Sequence, residues 1–328
     1  MKKLNWAIMG TGTIASKFAE TAGAMKDELN LCAVAARNPE KARIFAEKYG
    51  IGKSFGSFAE MLKDGDIDAV YIGTPNSAHF ENARACLESG KHVLCEKPLT
   101  LNAREARALF ALAESKKLFL MEAYWTKFMP FMAKVHEIID SGEIGEVYYV
   151  TASYGFAPPP ERLANKIDPA RGGGALLDLC AYGIGFPCMI FGYDVKSAHS
   201  AAKLNSAGTD ELEAAIMDFG GGKLASVQMS IGVVLPRLAC VYGTNGSLQI
   251  PDFNGGSRVI VTDNSENSRV IDCPFEITGF EYEIRESIAC IAAGKTASDI
   301  MKPEHTVAVL EIADAFRRDW GVRFPSEG

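Results

Sequence analysis

The chain has no run of 18 uninterrupted apolar residues, so no membrane-spanning helix is expected. It has no excess of positive charge. Its 34 Lys and Arg are outnumbered by 41 Asp and Glu, for a net charge of −7, which argues against the basic footprint of a nucleic-acid binder. No two of its eight cysteines have the spacing of a zinc or redox motif, and its five histidines add no metal-ligand pattern. No metal is expected. The cysteines mostly sit in apolar runs, as in Val93-Leu94-Cys95, which predicts buried, reduced thiols and a cytoplasmic protein. Met1-Lys2-Lys3 is basic like the start of a secretion signal, but Leu4–Met9 is too short to serve as its apolar core. There is no internal repeat and no low-complexity segment.

What is there is a chain of 328 residues, 48% hydrophobic, long enough for two domains. Up to residue 123, short apolar runs alternate with helical patterns. Strands are expected at Leu4–Met9, Leu31–Ala36, Ala69–Gly73, His92–Cys95 and Leu118–Glu122. Asn38 and Pro39 read as the cap and first residue of a helix that Gly50 stops. Ser57 and Glu60 have capping-box spacing, a helix runs from about Ser77 to Gly90, and Asn102 caps another. Such alternation predicts a doubly wound parallel sheet with helices on both faces, in a domain spanning 1–123. Residues 124–328 differ. A helix is expected over Pro130–Ser141 and a strand over Val147–Tyr154. A loop follows at Pro158-Pro159-Pro160, and a helix opens at Gly172-Gly173-Gly174. Consecutive antiparallel strands are expected over 211–262, with turns at Gly220–Gly222 and Asn245-Gly246, and helices near 279–293 and 303–318. This is an α+β domain with an open, mostly antiparallel sheet.

Gly10-Thr11-Gly12-Thr13-Ile14-Ala15 follows a strand and opens a helix, the context that gives a GxGxxA pattern its meaning. Gly10 permits the tight turn, Gly12 lets backbone approach a pyrophosphate, and Ala15 allows close packing of helix on sheet. The helix N-terminus, starting at Thr13 and Ile14, favours phosphate charge. The second strand ends in Ala36-Arg37-Asn38, with no acid to hold a ribose 2′-hydroxyl. A guanidinium there suits a 2′-phosphate, so Arg37 predicts NADP rather than NAD.

Gly10–Ala15, Thr74-Pro75-Asn76-Ser77-Ala78-His79 and Glu96-Lys97-Pro98 follow one another at successive strand ends. Together they resemble the glucose–fructose oxidoreductase / inositol dehydrogenase (Gfo/Idh/MocA) family over essentially the whole chain. Ala36-Arg37, Leu94–Pro98, Met121–Thr126 and Gly172–Tyr182 most resemble its branch of dimeric dihydrodiol dehydrogenases and NADP-dependent D-xylose dehydrogenases. The resemblance implies that Thr74, Pro75, Asn76, His79, Glu96 and Lys97 line the cofactor. Asn76 and Glu96 would follow the nicotinamide ribose, and Lys97, before a cis Pro98, would face the reacting carbon. Ligands in such sheets do bind outside the carboxyl ends of the strands, where Thr74, Glu96, Lys97 and Glu122 fall. His79 reads equally as a site residue or as a satisfied core histidine. Asp178 and Tyr182 are four apart, on one face of a helix. Many family members have a His at the second position. A phenol is a poor base unless an ammonium favours its phenolate, so Lys97 and Tyr182 are expected to act together, with Asp178 orienting the substrate hydroxyl or Lys97. Trp125 would wall the nicotinamide against water, and Phe156, Arg162 and Arg171 lie on loops that could border a substrate.

The expected function is reversible hydride transfer between NADP and a secondary alcohol or hemiacetal carbon of a sugar, polyol or cyclic diol. Two rivals are a non-catalytic NADP-binding regulator and NAD-dependent glycoside cleavage. One uncovered, partly apolar sheet face in the second domain predicts a homodimer or homotetramer.

Overall fold

The first apolar run of the sequence becomes a central strand in a computed structural model that describes residues 3–327. The chain alternates β1 (Leu4–Met9), α1 (Thr13–Ala24), β2 (Leu29–Ala35), α2 (Pro39–Tyr49), β3 (Lys53–Phe55), α3 (Phe58–Met61), β4 (Ala69–Ile72), α4 (His79–Glu88), β5 (His92–Glu96), α5 (Ala103–Lys116) and β6 (Leu120–Ala123). All six strands are parallel, in the order β3-β2-β1-β4-β5-β6. Residues Trp6–Met9 of β1 and all of β4 are buried, as in strands covered on both faces. The strand order reverses between β1 and β4, and this switch point is where open parallel sheets bind ligands. The expected caps form. Asn38 accepts from the Lys41 N–H at 3.1 Å, Ser57 from Glu60 at 3.2 Å and Asn102 from Glu105 at 2.9 Å, and Gly50 closes α2 at φ 67°.

The second unit comprises Thr126–Phe275 and the chain from Val307. It contains α6 (Pro130–Asp140), β7 (Val147–Gly155), α7 (Pro160–Ile167), α8 (Ala175–Gly183), α9 (Gly185–Phe191), β8 (Ser197–Leu204), β9 (Asp210–Asp218), β10 (Leu224–Ser230), β11 (Leu235–Gly243), β12 (Gly246–Pro251), β13 (Arg258–Asp263) and β14 (Ser268–Asp272). Its sheet has eight strands in the order β14-β13-β12-β11-β7-β10-β9-β8. β7 inserts between β10 and β11 and runs parallel to β10, while all other pairs are antiparallel. The strands expected over 211–262 are therefore not paired consecutively throughout. The loop expected at Pro158–Pro160 is cut short by α7, because Pro160 sits at the first helical position, where its missing N–H is no loss. Every residue of α8 except Asp178 is buried, and the helix lies against β7, β9 and β10.

Residues Glu276–Thr306 group with the first unit, whereas a division at residue 123 had placed them with the second. They carry α10 (Glu281–Ala292) and the start of α11 (Pro303–Trp320). Specific polar contacts hold them there. The Thr21 and Thr278 hydroxyls lie 2.6 Å apart, Arg285 forks onto Glu28, and the Leu120 N–H donates to the Thr296 carbonyl at 3.0 Å. The Glu281 carboxylate gathers the N–H groups of Glu276, Ile277, Thr278 and Gly279 at 2.7–3.0 Å. Hydrophobic periodicity carries no trace of such contacts. No helix among the described residues is long and apolar enough to cross a membrane, and all eight cysteines are free thiols.

Candidate active site

The first unit brings Gly10–Ala15, Thr74–His79 and Glu96–Pro98 together at the carboxyl ends of β1, β4 and β5. Gly10 has φ 113°, and a side chain there would press on the Gly73 carbonyl at 2.7 Å. Gly12 is the N-cap of α1, and a Cβ on it would meet nothing within 4 Å. That leaves an open cradle before the unpaired N–H groups of a helix start. Ala15 is fully buried, and a Cβ at Gly73 would lie 3.6 Å from it and 3.3 Å from Ile14, so the third motif position has no room for a larger residue. Arg37 is exposed past the end of β2, and its guanidinium makes no ion pair among the described residues.

Lys97 sits on a turn held from both sides. The Lys97–Pro98 bond is cis. One ring nitrogen of His79 lies 2.8 Å from the Pro98 carbonyl, and the other lies 2.8 Å from the Thr74 carbonyl. The buried Glu122 accepts from the Leu99 N–H at 2.9 Å and from the Thr306 hydroxyl at 2.7 Å. Thr74 also accepts from Asn82 at 3.0 Å. His79 is 1% exposed, so its ring ties two backbone segments of the site together. Burial, and then the Lys97 charge, pull its protonation downward, while the two carbonyls oppose them.

Glu96 is buried, and the Tyr71 hydroxyl donates to it at 2.5 Å. Burial pushes its carboxyl up to about 7, against the Tyr71 hydrogen bond and the Lys97 charge. Trp125 lies in the first unit with Lys17 Nζ 3.7 Å above its ring and the Phe280 ring 5.2 Å away. Lys17 is pulled down by desolvation and supported by the carboxyls of Glu283 and Glu96. Glu283 is fully buried, and neither of its oxygens has a hydrogen-bond partner among the described residues. Burial and the nearby Glu96 charge push its carboxyl well up.

In the second unit, Asp178 and Tyr182 share a face of α8. Tyr182 packs beside Tyr154, with ring centres 5.4 Å apart, and Tyr154 lies 6.0 Å from Phe156. Asp178 Oδ2 pairs with Lys166 Nζ, and that ammonium lies 5.1 Å from the centre of the Phe156 ring. Gly174, at φ 121°, precedes α8, and any side chain on it would collide with the Asp210 carboxylate, whose Oδ2 accepts from the Leu176 N–H at 2.6 Å. Beside Asp210, burial pushes the Glu213 carboxyl well up. Arg162 is exposed on α7 and Arg171 half-buried before Gly172. Neither guanidinium is bonded among the described residues.

Sequence reasoning did not find Lys17, Tyr71, Glu283 or Lys166. Tyr71 had a signal, since a phenol inside an otherwise aliphatic buried strand requires a polar partner. Lys166 had a weaker one, a cation just ahead of three glycines. Glu283 is joined to the site through the returning segment around α10, and Lys17 through the Trp125 ring, contacts that leave no pattern in the sequence.

The family profile described as the oxidoreductase family with an NAD-binding Rossmann fold (GFO_IDH_MocA) matches residues 4–124. The GFO/IDH/MocA C-terminal domain profile matches residues 132–249. A trans-1,2-dihydrobenzene-1,2-diol dehydrogenase of Xenopus laevis is 32% identical over 330 residues, covering 98% of this chain and 99% of the relative. The protein of that name from Homo sapiens is 32% identical over 332 residues, covering 99% of both chains. A crystal structure of KijD10, a 3-ketoreductase from Actinomadura kijaniata, with NADP and TDP-benzene, superposes with a TM-score of 0.89 at 25% identity. It covers 97% of this chain and 98% of that one. With both halves matched in order and full-length relatives at this identity, the chain belongs to the Gfo/Idh/MocA family of oxidoreductases.

Proposed function

We propose that the chain is an NADP-dependent dehydrogenase of the CH–OH group of a sugar, polyol or cyclic diol. The observation that carries this reading is the Glu96-Lys97-Pro98 strand end, fixed by His79 and Glu122 beside the switch point of a parallel sheet. The clamps act on the backbone that carries Lys97, and a half-buried ammonium held at such a strand end is placed for chemistry. The dihydrodiol dehydrogenase relatives and the NADP complex of KijD10 support the substrate and cofactor classes.

The cradle at Gly12 and the start of α1 fit a pyrophosphate, and Arg37 fits a 2′-phosphate. Thr74, Pro75, Asn76, Glu96 and Trp125 complete the residues assigned to the dinucleotide, while His79, expected either there or as a core histidine, supports them from behind with both ring nitrogens on backbone carbonyls. When bound, NADP supplies the acceptor for the hydride from the carbinol carbon. Lys97 and Tyr182 take the hydroxyl proton as the carbonyl forms, and return it in the reverse direction. Asp178 orients the substrate hydroxyl or Lys97, while Trp125, Phe156, Arg162 and Arg171 bound the substrate.

Arg37→Ala is expected to weaken NADP binding roughly ten- to a hundredfold, the usual worth of a charged hydrogen bond, and to leave NAD binding almost unchanged. Fluorescence titration with both dinucleotides measures this. Equal weakening of both would remove Arg37 from the 2′-phosphate site.

The protein is further assigned to the cytosol, which suits its eight free thiols. It is also assigned as a homodimer or homotetramer through the large sheet. The face away from α8 exposes Tyr149, Ile216, Leu224, Tyr242 and Val270, with Ile216 at 57% and Val270 at 59%. A shallow groove of about 340 Å³ crosses β8, β9 and β10 on the same sheet. Sedimentation velocity at micromolar concentration is expected to show a species of at least twice the 35.4 kDa chain. A lone monomer would remove this interface and leave the catalytic assignment untouched.

A further inference from the structure

The polar residue of α8 meets a cation from a neighbouring helix, and the intervening backbone is shaped to bring the two together. Asp178 lies in the first turn of α8, where a carboxylate tends to fold back onto the helix's own N–H groups. The Leu176 N–H is already taken by Asp210. Lys166, near the end of α7, meets Asp178 instead. The link between the helices, residues 168–174, ends in three glycines, and the geometry explains two of them. The Gly174 N–H donates to the Lys166 carbonyl at 2.8 Å, and the Gly173 N–H to the Asp168 carbonyl at 3.0 Å. A side chain on Gly173 would collide with the Lys166 carbonyl. The backbone of Lys166 is thereby welded to the N-terminus of the helix that carries Asp178 and Tyr182. Its ammonium has two fixed neighbours, the Asp178 carboxylate and the face of Phe156. Phe156 is itself held by its N–H on the Ser230 carbonyl at 3.0 Å.

We infer that Lys166 is the positioning residue of Asp178, fixing its carboxylate in one orientation and in its charged form. The inference rests on the assignment of Asp178 to the substrate hydroxyl or Lys97. Folding alone does not explain the contact, because the two side chains are 37% and 22% exposed and an ion pair so open contributes little stability. An ionised, fixed carboxylate accepts on both oxygens, whereas a protonated carboxyl gives up one oxygen to an O–H and a rotated one turns its lone pairs away, so the pair keeps Asp178 able to orient its partner in the reaction. Other titratable groups on elements packed against α8 include Asp210, Glu211 and Glu213 on β9, Tyr154 on β7, Cys188 on α9 and Glu161 and Arg162 on α7. Lys166 of α7 pairs directly with Asp178.

The test uses the full-length protein with Lys166→Met, Lys166→Arg and Asp178→Asn, and has two readouts. Carboxyl-carbon NMR, with the Asp178 signal identified by its loss in Asp178→Asn, follows the titration directly and needs no substrate. Removing a neighbouring ammonium disfavours the carboxylate. In Lys166→Met the Asp178 midpoint is therefore expected to rise by roughly one pH unit, with Lys166→Arg restoring it. In the NADP-linked assay with D-xylose and trans-cyclohexane-1,2-diol, Lys166→Met is expected to lower kcat about tenfold, leave the KM for NADP unchanged and regain most of the loss in Lys166→Arg. An unmoved Asp178 midpoint in a folded Lys166→Met protein would overturn the inference, whatever the assay gives. A moved midpoint together with full turnover by Asp178→Asn would instead overturn the assignment of Asp178 to the hydroxyl or Lys97 and leave the pairing standing.

Discussion

Lys97→Met is expected to lower turnover by about 10²–10⁴-fold, the usual contribution of a positioned acid or base, while NADP binding survives. Methionine keeps the length and removes the ammonium. The clamps on this turn act on backbone, His79 on the Pro98 carbonyl and Glu122 on the Leu99 N–H, so the strand end should keep its shape. The dinucleotide cradle at Gly10–Ala15 lies on a different strand end. One electrostatic consequence follows with a definite sign. The Lys97 charge is among the influences that hold the Glu96 carboxyl down to about 7. Without it, Glu96 should keep its proton to higher pH, and any dependence of dinucleotide affinity on that proton should move upward with it. Stopped-flow absorbance gives the turnover, and fluorescence titration across pH gives the affinity. Near-normal turnover, or a loss of NADP affinity equal to the loss of rate, would remove Lys97 from the chemistry.

Tyr182→Phe is expected to cost a comparable factor, about 10²–10³ in turnover, through the loss of a single hydroxyl. The ring is 94% buried beside Tyr154, and phenylalanine fills the same space, so folding should be little affected. The diagnostic measurement is the double mutant. If Lys97 and Tyr182 pass one proton between them, Lys97→Met/Tyr182→Phe should be little worse than the poorer single mutant, because either loss breaks the same path. Independent, multiplicative losses would show two separate roles. Near-normal turnover by Tyr182→Phe would leave Lys97 as the proton carrier alone.

Much of the first unit was legible because local signals there coincide with the final structure. The strand Leu4–Met9, the caps at Asn38 and Asn102 and the stop at Gly50 all depend on neighbours in sequence. The GxGxxA turn is similar, since the steric limits at Gly10 and Gly73 express the close packing that its small residues imply. The second unit was read less well where structure depends on partners distant in sequence. β8, Ser197–Leu204, is rich in small residues and has no β-branched run, so only pairing with β9 makes it a strand. β7 sits between β10 and β11 although it precedes both by many residues, and no alternation pattern encodes that choice. The return of Glu276–Thr306 is fixed by side chains such as Thr278 and Arg285 on α1 and the turn after it, pairs 257 residues apart.

The site shows the same division. Its motifs named Lys97, Asp178 and Tyr182 because each lies at a strand end or on a helix face visible from spacing. They did not name the polar partners, Tyr71 of Glu96 and Lys166 of Asp178, because an ion pair or hydrogen bond leaves no periodicity. Trp125 was expected as an apolar wall, and its ring carries the Lys17 ammonium on one face. An aromatic face attracts a cation electrostatically as well as shedding water, and composition alone does not distinguish the two.

The proposed chemistry moves a hydride between NADP and a CH–OH carbon. The most direct measurement is absorbance at the reduced-nicotinamide band, with purified protein, NADP or NAD, and a panel of aldoses, polyols and trans cyclic diols. The account predicts that absorbance grows with at least one member of the panel, faster with NADP than with NAD, and falls when the matching carbonyl is added to NADPH. Tight NADP binding with no reduction across the panel would contradict it in favour of a non-catalytic regulator. Release of a glycosidic leaving group without net reduction would contradict it in favour of glycoside cleavage.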